Sequence, residues 1–155
     1  MAHFSATRRV NITAEQAFAI AADVGAYKDF LPLVERSTVR GERKKQNTQE
    51  TFYADLTVGY SKLGVRESFT SQVICDEAVL TVSATASDGP IKSLQAIWKI
   101  EPHSNGSAQV SITADYTLKS MMLQMMARGL VEFAAQRIMQ AFEERGQKLY
   151  GSAFS

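Results

Sequence analysis

The side chains able to do covalent or acid–base chemistry are few and scattered. The chain has one cysteine, Cys75, and two histidines, His3 and His103, far apart in sequence. That scarcity excludes a His/Cys zinc cage. His103 falls in Pro102-His103-Ser104-Asn105-Gly106, which is turn chemistry, so a solvated loop histidine is expected rather than a base. Cys75 lies on an apolar strand face with no neighbouring pattern of histidines or cations to activate it, so it reads as a structural thiol. No Gly-rich phosphate loop follows a strand, and neither G-x-S-x-G nor H-E-x-x-H occurs. The carboxylates form no recognisable acid/base pair. The expectation is a protein that is not an enzyme, requires no cofactor and holds no metal.

Binding chemistry remains. Arg40, Arg43, Lys44 and Lys45 are the densest charge cluster. They fall between two strands and are expected to decorate a hairpin, either as a solvated turn or as a contact for lipid headgroups or RNA phosphates. No aromatic residue interleaves them, which argues against reading RNA sequence. Formal net charge is +1, so a strongly basic nucleic-acid domain is excluded and no DNA partner is expected.

Methionine is flexible and polarizable and fits varied apolar partners. Five of the six methionines, Met121, Met122, Met125, Met126 and Met139, lie in one C-terminal segment. On a helical wheel Met122, Met126 and Phe133 sit at one edge of the apolar stripe. Met121, Met125 and Met139 point away from its centre. Two readings fit: extra core under another element, or the mouth of a lipid-accepting cavity that also touches a membrane. Arg137 falls near the middle of the stripe, where it either snorkels to the rim or bonds a ligand oxygen.

These residues need elements to position them. Phe4 to Ile12 reads as a strand with Phe4, Ala6, Val10 and Ile12 on one face, interrupted by Arg8. Thr13-Ala14-Glu15-Gln16 is a capping box opening a short helix to about Val24, which Gly25 can close. Tyr27 to Leu31 predicts a second short helix, ended by Pro32. From Val34 to Leu118 the apolar period is two. Phe52, Ala54, Leu56, Val58 and Tyr60 form one such face, and Leu94, Ala96, Trp98 and Ile100 another. Alternation of this kind means antiparallel strands with one wet face, here about six in a meander. From about Lys119 to Leu149 the spacing is helical, with Leu123, Met126, Ala127, Leu130, Val131, Ala134, Ile138, Ala141, Phe142 and Leu149 on one broad stripe. A helix of about 30 residues is roughly 45 Å long. That exceeds the sheet it covers, so a bend or an early end near Gly146 is expected. The sheet is expected to wrap round this helix. Small residues on both faces fit either a cavity or ordinary large/small interdigitation.

Length and composition agree with one domain over 1–155. Apolar residues are 45% and charged residues 21%, the balance of an ordinary globular protein. A lone cysteine forms no internal disulfide and fits a reducing compartment. Nothing approaches ~18 uninterrupted apolar residues, and the first residues lack the pattern of a secretory signal. The expected localisation is cytoplasmic.

Several stretches together resemble the coenzyme Q-binding START-domain family. They are Tyr27-Lys28-Asp29-Phe30-Leu31-Pro32-Leu33-Val34-Glu35-Arg36-Ser37, then Ala54-Asp55-Leu56-Thr57-Val58-Gly59-Tyr60, and Asp88-Gly89-Pro90-Ile91-Lys92-Ser93-Leu94 with Trp98. Tyr116 to Ser120, Ala141-Phe142-Glu143-Glu144-Arg145 and Leu149-Tyr150-Gly151 complete the set. The family lies within the polyketide cyclase/START-like superfamily, and its bacterial members include ribosome-association toxins. Where the family often has a tryptophan after the early proline, this chain has Leu33. Where it often has an aromatic after the Gly-Pro pair, this chain has Ile91. The resemblance implies an α+β helix-grip fold: a curved antiparallel sheet of about seven strands round a long C-terminal helix, with two short helices after the first strand. It implies an apolar tunnel for a polyprenyl quinone (coenzyme Q, ubiquinone) or another lipid, and a carrier or chaperone role in respiration. By position, the ligand-lining residues are Phe30, Leu31, Pro32, Tyr53, Trp98, Tyr116, Met122, Met126, Leu130 and Phe133. Arg40, Arg43, Lys44, Lys45, Met121 and Met125 are the expected contacts with a membrane, at the inner face of the respiratory membrane, or with the large ribosomal subunit. Two other functions stay open: a ribosome-binding factor that blocks subunit association, and a cyclase- or aromatase-like enzyme using Tyr53, Tyr116 or Arg137.

Overall fold

Period-two alternation begins at once. In the computed structural model, which describes residues 2–151, strand β1 (Ala2–Val10) turns Ala2, Ala6 and Val10 into the core. Arg8 shares that face and is neutralised there by Glu143 of the last helix, Nε to Oε2 at 2.6 Å.

Helix α1 (Ala14–Ala22) starts as its capping box predicts. Thr13 Oγ1 accepts from the Gln16 N–H at 3.1 Å, and Gln16 Oε1 accepts from the Thr13 N–H at 3.1 Å. The expected closure at Gly25 does not occur. The helix stops at Ala22, with the Asp23 N–H on the carbonyls of Ala19 and Ile20, and the chain tightens into a 3₁₀ helix over Val24–Asp29. The reason is tertiary: Ser37 Oγ donates to the Gly25 carbonyl at 2.9 Å and accepts from the Lys28 N–H at 3.0 Å.

Six more strands follow: β2 (Val34–Gln46), β3 (Gln49–Tyr60), β4 (Val65–Asp76), β5 (Thr81–Ala86), β6 (Ile91–Pro102) and β7 (Ala108–Leu118). Every pairing is antiparallel, in the order β1-β7-β6-β5-β4-β3-β2. The meander is therefore flanked by β1 on β7, and β1 and β2 are the edges. The basic run lies within edge strand β2, not in a turn; Gln46 pairs with Gln49 to close the hairpin. Charged side chains on an edge discourage pairing with another chain.

Helix α2 (Met121–Tyr150) is capped by Ser120, whose Oγ accepts from the Leu123 N–H at 3.3 Å. It runs unbroken past Gly146, contrary to the expected bend. Gly146 is buried, and a Cβ there would lie 2.8 Å from Ile12 Cδ1. The glycine permits close approach between α2 and the β1–α1 junction. The fully buried residues of α2 are Ala134, Met139, Phe142 and Gly146. Met139 thus departs from its expected outward position: at i, i+3 and i+7 it shares the buried side with Phe142 and Gly146 and belongs to the packed core. Trp98 meets Phe142 with ring centroids 5.2 Å apart, and Phe52, Val73, Val110 and Ile12 complete the packed core.

Candidate ligand-binding cavity

The burial of α2 is one-sided along its length. All its fully buried residues lie from Ala134 onward. Before that, Leu123, Met126, Ala127, Leu130 and Val131 face inward but are only half-buried. The second half of the helix is clamped to the sheet, and the first half roofs a space. The space persists because no aromatic side chain of α2 fills it: Phe133 is 51% exposed.

That space is a cavity of about 280 Å³. Leu123, Met126, Ala127, Leu130, Val131 and Ile138 form its roof. Val58, Gly59, Val65 and Phe69 of the β3–β4 hairpin form one wall; Pro90, Ile91 and Leu118 form another; Pro32, Leu33 and Val34 close the rim. Glu67 is the one charged residue in the lining. Leu33 holds a left-handed backbone, φ 71°, and its carbonyl accepts from the Gly59 N–H at 2.8 Å. A leucine in that conformation costs about 1–2 kcal/mol, and such strain gathers at binding sites.

Of the residues expected to line a tunnel, Pro32, Met126 and Leu130 stand in this lining. Phe30 and Leu31 pack against the core. Trp98 is buried in the core against Phe142, away from the cavity lining. Tyr116 borders a different groove, with His3, Arg128 and Glu132. Tyr53 pairs with Gln72 on the outer face of the sheet and sits among Arg40, Thr70 and Gln72. Met122 is 72% exposed and points to solvent, since Leu123 and Met126 occupy the inward positions of that turn. Phe133 borders a groove next to the cavity. Met121 and Met125 are 83% and 74% exposed at the same end of α2.

Several lining residues were not among those expected. Leu123, Ala127, Val131 and Ile138 belong to the helical stripe already visible in the sequence. Leu33 and Ile91 are the two positions where aliphatic side chains replace the aromatics common in the resembling family. Glu67 shares a strand face with Phe69, Ser71, Val73 and Cys75, so one carboxylate on an otherwise weakly polar face was its signal.

The basic run is largely neutralised. Arg40 pairs with Asp55 at 3.0 Å, Arg43 with Glu50 at 2.7 Å and Lys45 with Glu77 at 3.5 Å. Arg43 also stacks 4.2 Å over the Phe52 ring. A hydrogen bond from Thr70, assisted by Arg40, holds the Asp55 carboxyl below its ordinary range. Lys44 is exposed.

Burial pushes the Cys75 thiol up to about 11, so it is protonated at neutral pH. Burial also raises the Tyr27 phenol far above its ordinary value, and its hydroxyl donates to the Ala21 carbonyl. Among the described residues, no three of His, Cys, Asp and Glu come together as a metal site requires, and no helix is long and apolar enough to cross a membrane.

Comparison with known proteins agrees with this architecture. A family model described as polyketide cyclase / dehydrase and lipid transport matches residues 10–143. The mitochondrial coenzyme Q-binding protein coq10 of Schizosaccharomyces pombe is 33% identical over 131 residues, 84% of this chain and 77% of that one. The ribosome association toxin RatA of Escherichia coli is 27% identical over 154 residues, 98% of this chain and 91% of that one. A START superfamily protein from Mycobacterium smegmatis superposes with a TM-score of 0.76 at 20% identity, over 95% of this chain and 98% of that one; at that identity the likeness shows the fold alone. The curved seven-stranded sheet gripping α2 is thus the helix-grip fold, and the chain belongs to the polyketide cyclase/dehydrase and lipid-transport family, in the START-like group that includes coenzyme Q-binding proteins and ribosome association toxins.

Proposed function

We propose that this protein binds a polyprenyl quinone such as coenzyme Q, or a lipid of similar shape, in the cavity under α2, and supports respiratory electron transport as a carrier or chaperone. The observation that carries this reading is the lining: apolar on every side, with Glu67 as its one charged residue. Burying isoprenoid carbons contributes about 0.8 kcal/mol per CH₂-sized group, so such a ligand needs apolar wall more than polar anchors. The relative named as a coenzyme Q-binding protein supports the choice of ligand. The exposed Met121, Met122 and Met125 are the residues proposed to touch a membrane during exchange, at the inner face of the respiratory membrane. A cyclase-like reaction is the weaker reading. Tyr53, Tyr116 and Arg137 stand outside the cavity lining, and Glu67 has no second titratable group there to work with.

The test is native mass spectrometry of protein freshly purified from a quinone-containing host, followed by solvent extraction. A bound quinone, or saturable uptake of added quinone, is expected. An empty protein that takes up neither quinone nor any other lipid overturns the reading.

The relative named RatA, similar over nearly the whole chain, keeps ribosome association as a second reading. The ion pairs that neutralise Arg40, Arg43 and Lys45 weaken it. Reversing Arg43, Lys44 and Lys45 to Glu abolishes co-sedimentation with the large ribosomal subunit if this edge is the contact; unchanged sedimentation rules the edge out.

A further inference from the structure

A groove of about 440 Å³ adjoins the cavity and shares Pro32, Leu33, Val34 and Gly59 with it. The two meet at Gly59 of β3. A Cβ there would fall 2.0 Å from Glu35 Oε2 and 2.8 Å from the Val65 carbonyl oxygen, so the missing side chain is what lets the Glu35 carboxylate sit against β3 at this junction. Beyond the junction the chemistry changes. The cavity is apolar, whereas the groove adds Glu35, Tyr60, Ser61, Phe133 and Arg137.

Arg137 is the distinctive group. Its guanidinium stacks 4.2 Å over the Phe133 ring, one turn earlier on α2. Phe133 in turn meets Tyr60, with centroids 6.4 Å apart. Stacking occupies the flat face of a guanidinium and leaves its in-plane N–H donors available. Among the described residues, no carboxylate pairs with Arg137 and no side chain accepts from it. The carboxylate in the same groove, Glu35, is engaged by Arg66 at 3.3 Å.

We propose that this groove is the head-group subsite of the ligand whose tail fills the cavity, and that Arg137 donates hydrogen bonds to a ring oxygen of a neutral head such as a quinone carbonyl. The assignment rests on the ligand reading above and adds to it the side chain that distinguishes a quinone from a bare hydrocarbon. Glu35 favours a neutral head: a phosphate or carboxylate seated against Arg137 would also face that carboxylate. Cavity and groove share Pro32, Leu33, Val34 and Gly59, so one molecule spans both compartments, chain inward and ring outward.

The experiment compares a short-tailed ubiquinone, farnesol and palmitate binding to the full chain by equilibrium dialysis. Wild type is measured beside Arg137→Met, which keeps an unbranched side chain over Phe133 and removes the donors, and Arg137→Lys, which keeps charge without the planar fork. Arg137→Met is expected to weaken the quinone about tenfold, the loss of one charge-assisted hydrogen bond. Farnesol should stay within about twofold, and Arg137→Lys should fall between the two for quinone. Equal effects on quinone and farnesol, or no effect on quinone, overturn the subsite. Palmitate binding more tightly than quinone and lost in Arg137→Met overturns the neutral head. Wild type that takes farnesol but not quinone leaves the apolar cavity standing and removes the subsite. Wild type that takes none of the three overturns the ligand reading itself.

Discussion

Arg8 Nε donates to Glu143 Oε2 across 2.6 Å, and that ion pair fastens the first strand to the last helix. It lies on the half of α2 that also buries Met139 and Phe142. Among the described residues no ion pair ties the opposite half to the sheet; it spans the cavity, held near its start by Gln124 Oε1, which accepts from the Leu118 N–H at 2.7 Å. One end of the helix is thus an anchor and the other a roof, an arrangement that keeps a space open without unfolding anything.

Arg8→Met is expected to lower stability by about 1–3 kcal/mol, because the Glu143 carboxylate is left half-buried without its donor. Adding Glu143→Gln should recover part of that loss, since the stranded charge goes with its partner. Urea denaturation of the single and double variants measures both. A single variant as stable as wild type would show that apolar packing alone holds the anchor.

Legibility in the sequence followed the range of the forces involved. The Thr13–Gln16 capping box, the alternating strands and the α2 stripe are local patterns, and each element formed where its pattern stood. The misreadings share a different cause. Gly25 has the chemistry of a helix cap, yet Ser37, twelve residues on, decides its conformation. Gly146 looks like a break, yet it is a contact with Ile12. At the site, Met126 and Leu130 were legible because they sit on the stripe. Trp98 and Tyr116 were carried over by position from the resembling family; here Trp98 packs on Phe142 and Tyr116 borders a separate groove. No local pattern reports how far a sheet curls, so which end of a strand meets the cavity was out of reach.

Leu33 separates strain from packing. Its φ of 71° suits glycine, while its side chain lines both the cavity and the adjoining groove. In Leu33→Gly the relief of about 1–2 kcal/mol of backbone strain is offset by the roughly 0.5–1 kcal/mol entropy cost of glycine and by lost side-chain contact. Stability is expected to change by less than about 1 kcal/mol, while quinone uptake falls. Thermal unfolding beside equilibrium dialysis checks this. A sharp loss of stability with uptake intact would make Leu33 a packing residue only.

Alkaline pH should weaken the fold through Cys75 and Tyr27. The folded-state pKa of the thiol is about 11 against an ordinary 9.0, and the phenol is raised as well. The unfolded chain therefore loses these protons first as pH rises, and stability depends on pH with a negative slope of at most about 1.4 kcal/mol per unit for each group. The contribution is complete below pH 9 and is lost as pH climbs through 11. Urea midpoints across that range should fall for wild type and fall less steeply for Cys75→Ala. The slope is the readout, because deleting the sulfur lowers stability at every pH. A parallel slope in the variant would assign the alkaline loss to other groups.

The most direct test of the hollow is to fill it. Ala127 lies on the roof, half-buried, between Leu123 and Leu130 of the lining. Ala127→Phe places a ring in the void, where it gains apolar burial of about 1–2 kcal/mol. A packed core would respond in the opposite sense, since forcing extra volume into one costs about 1–3 kcal/mol. The expectation is a melting temperature equal to or above wild type, with quinone uptake reduced more than about tenfold. Gln136→Phe, on the exposed side of the same helix, is the control and should leave uptake within about twofold. If Ala127→Phe destabilises the protein, the space is not empty enough to accept a ring. If it stabilises the protein and uptake persists, the ligand sits somewhere other than under α2.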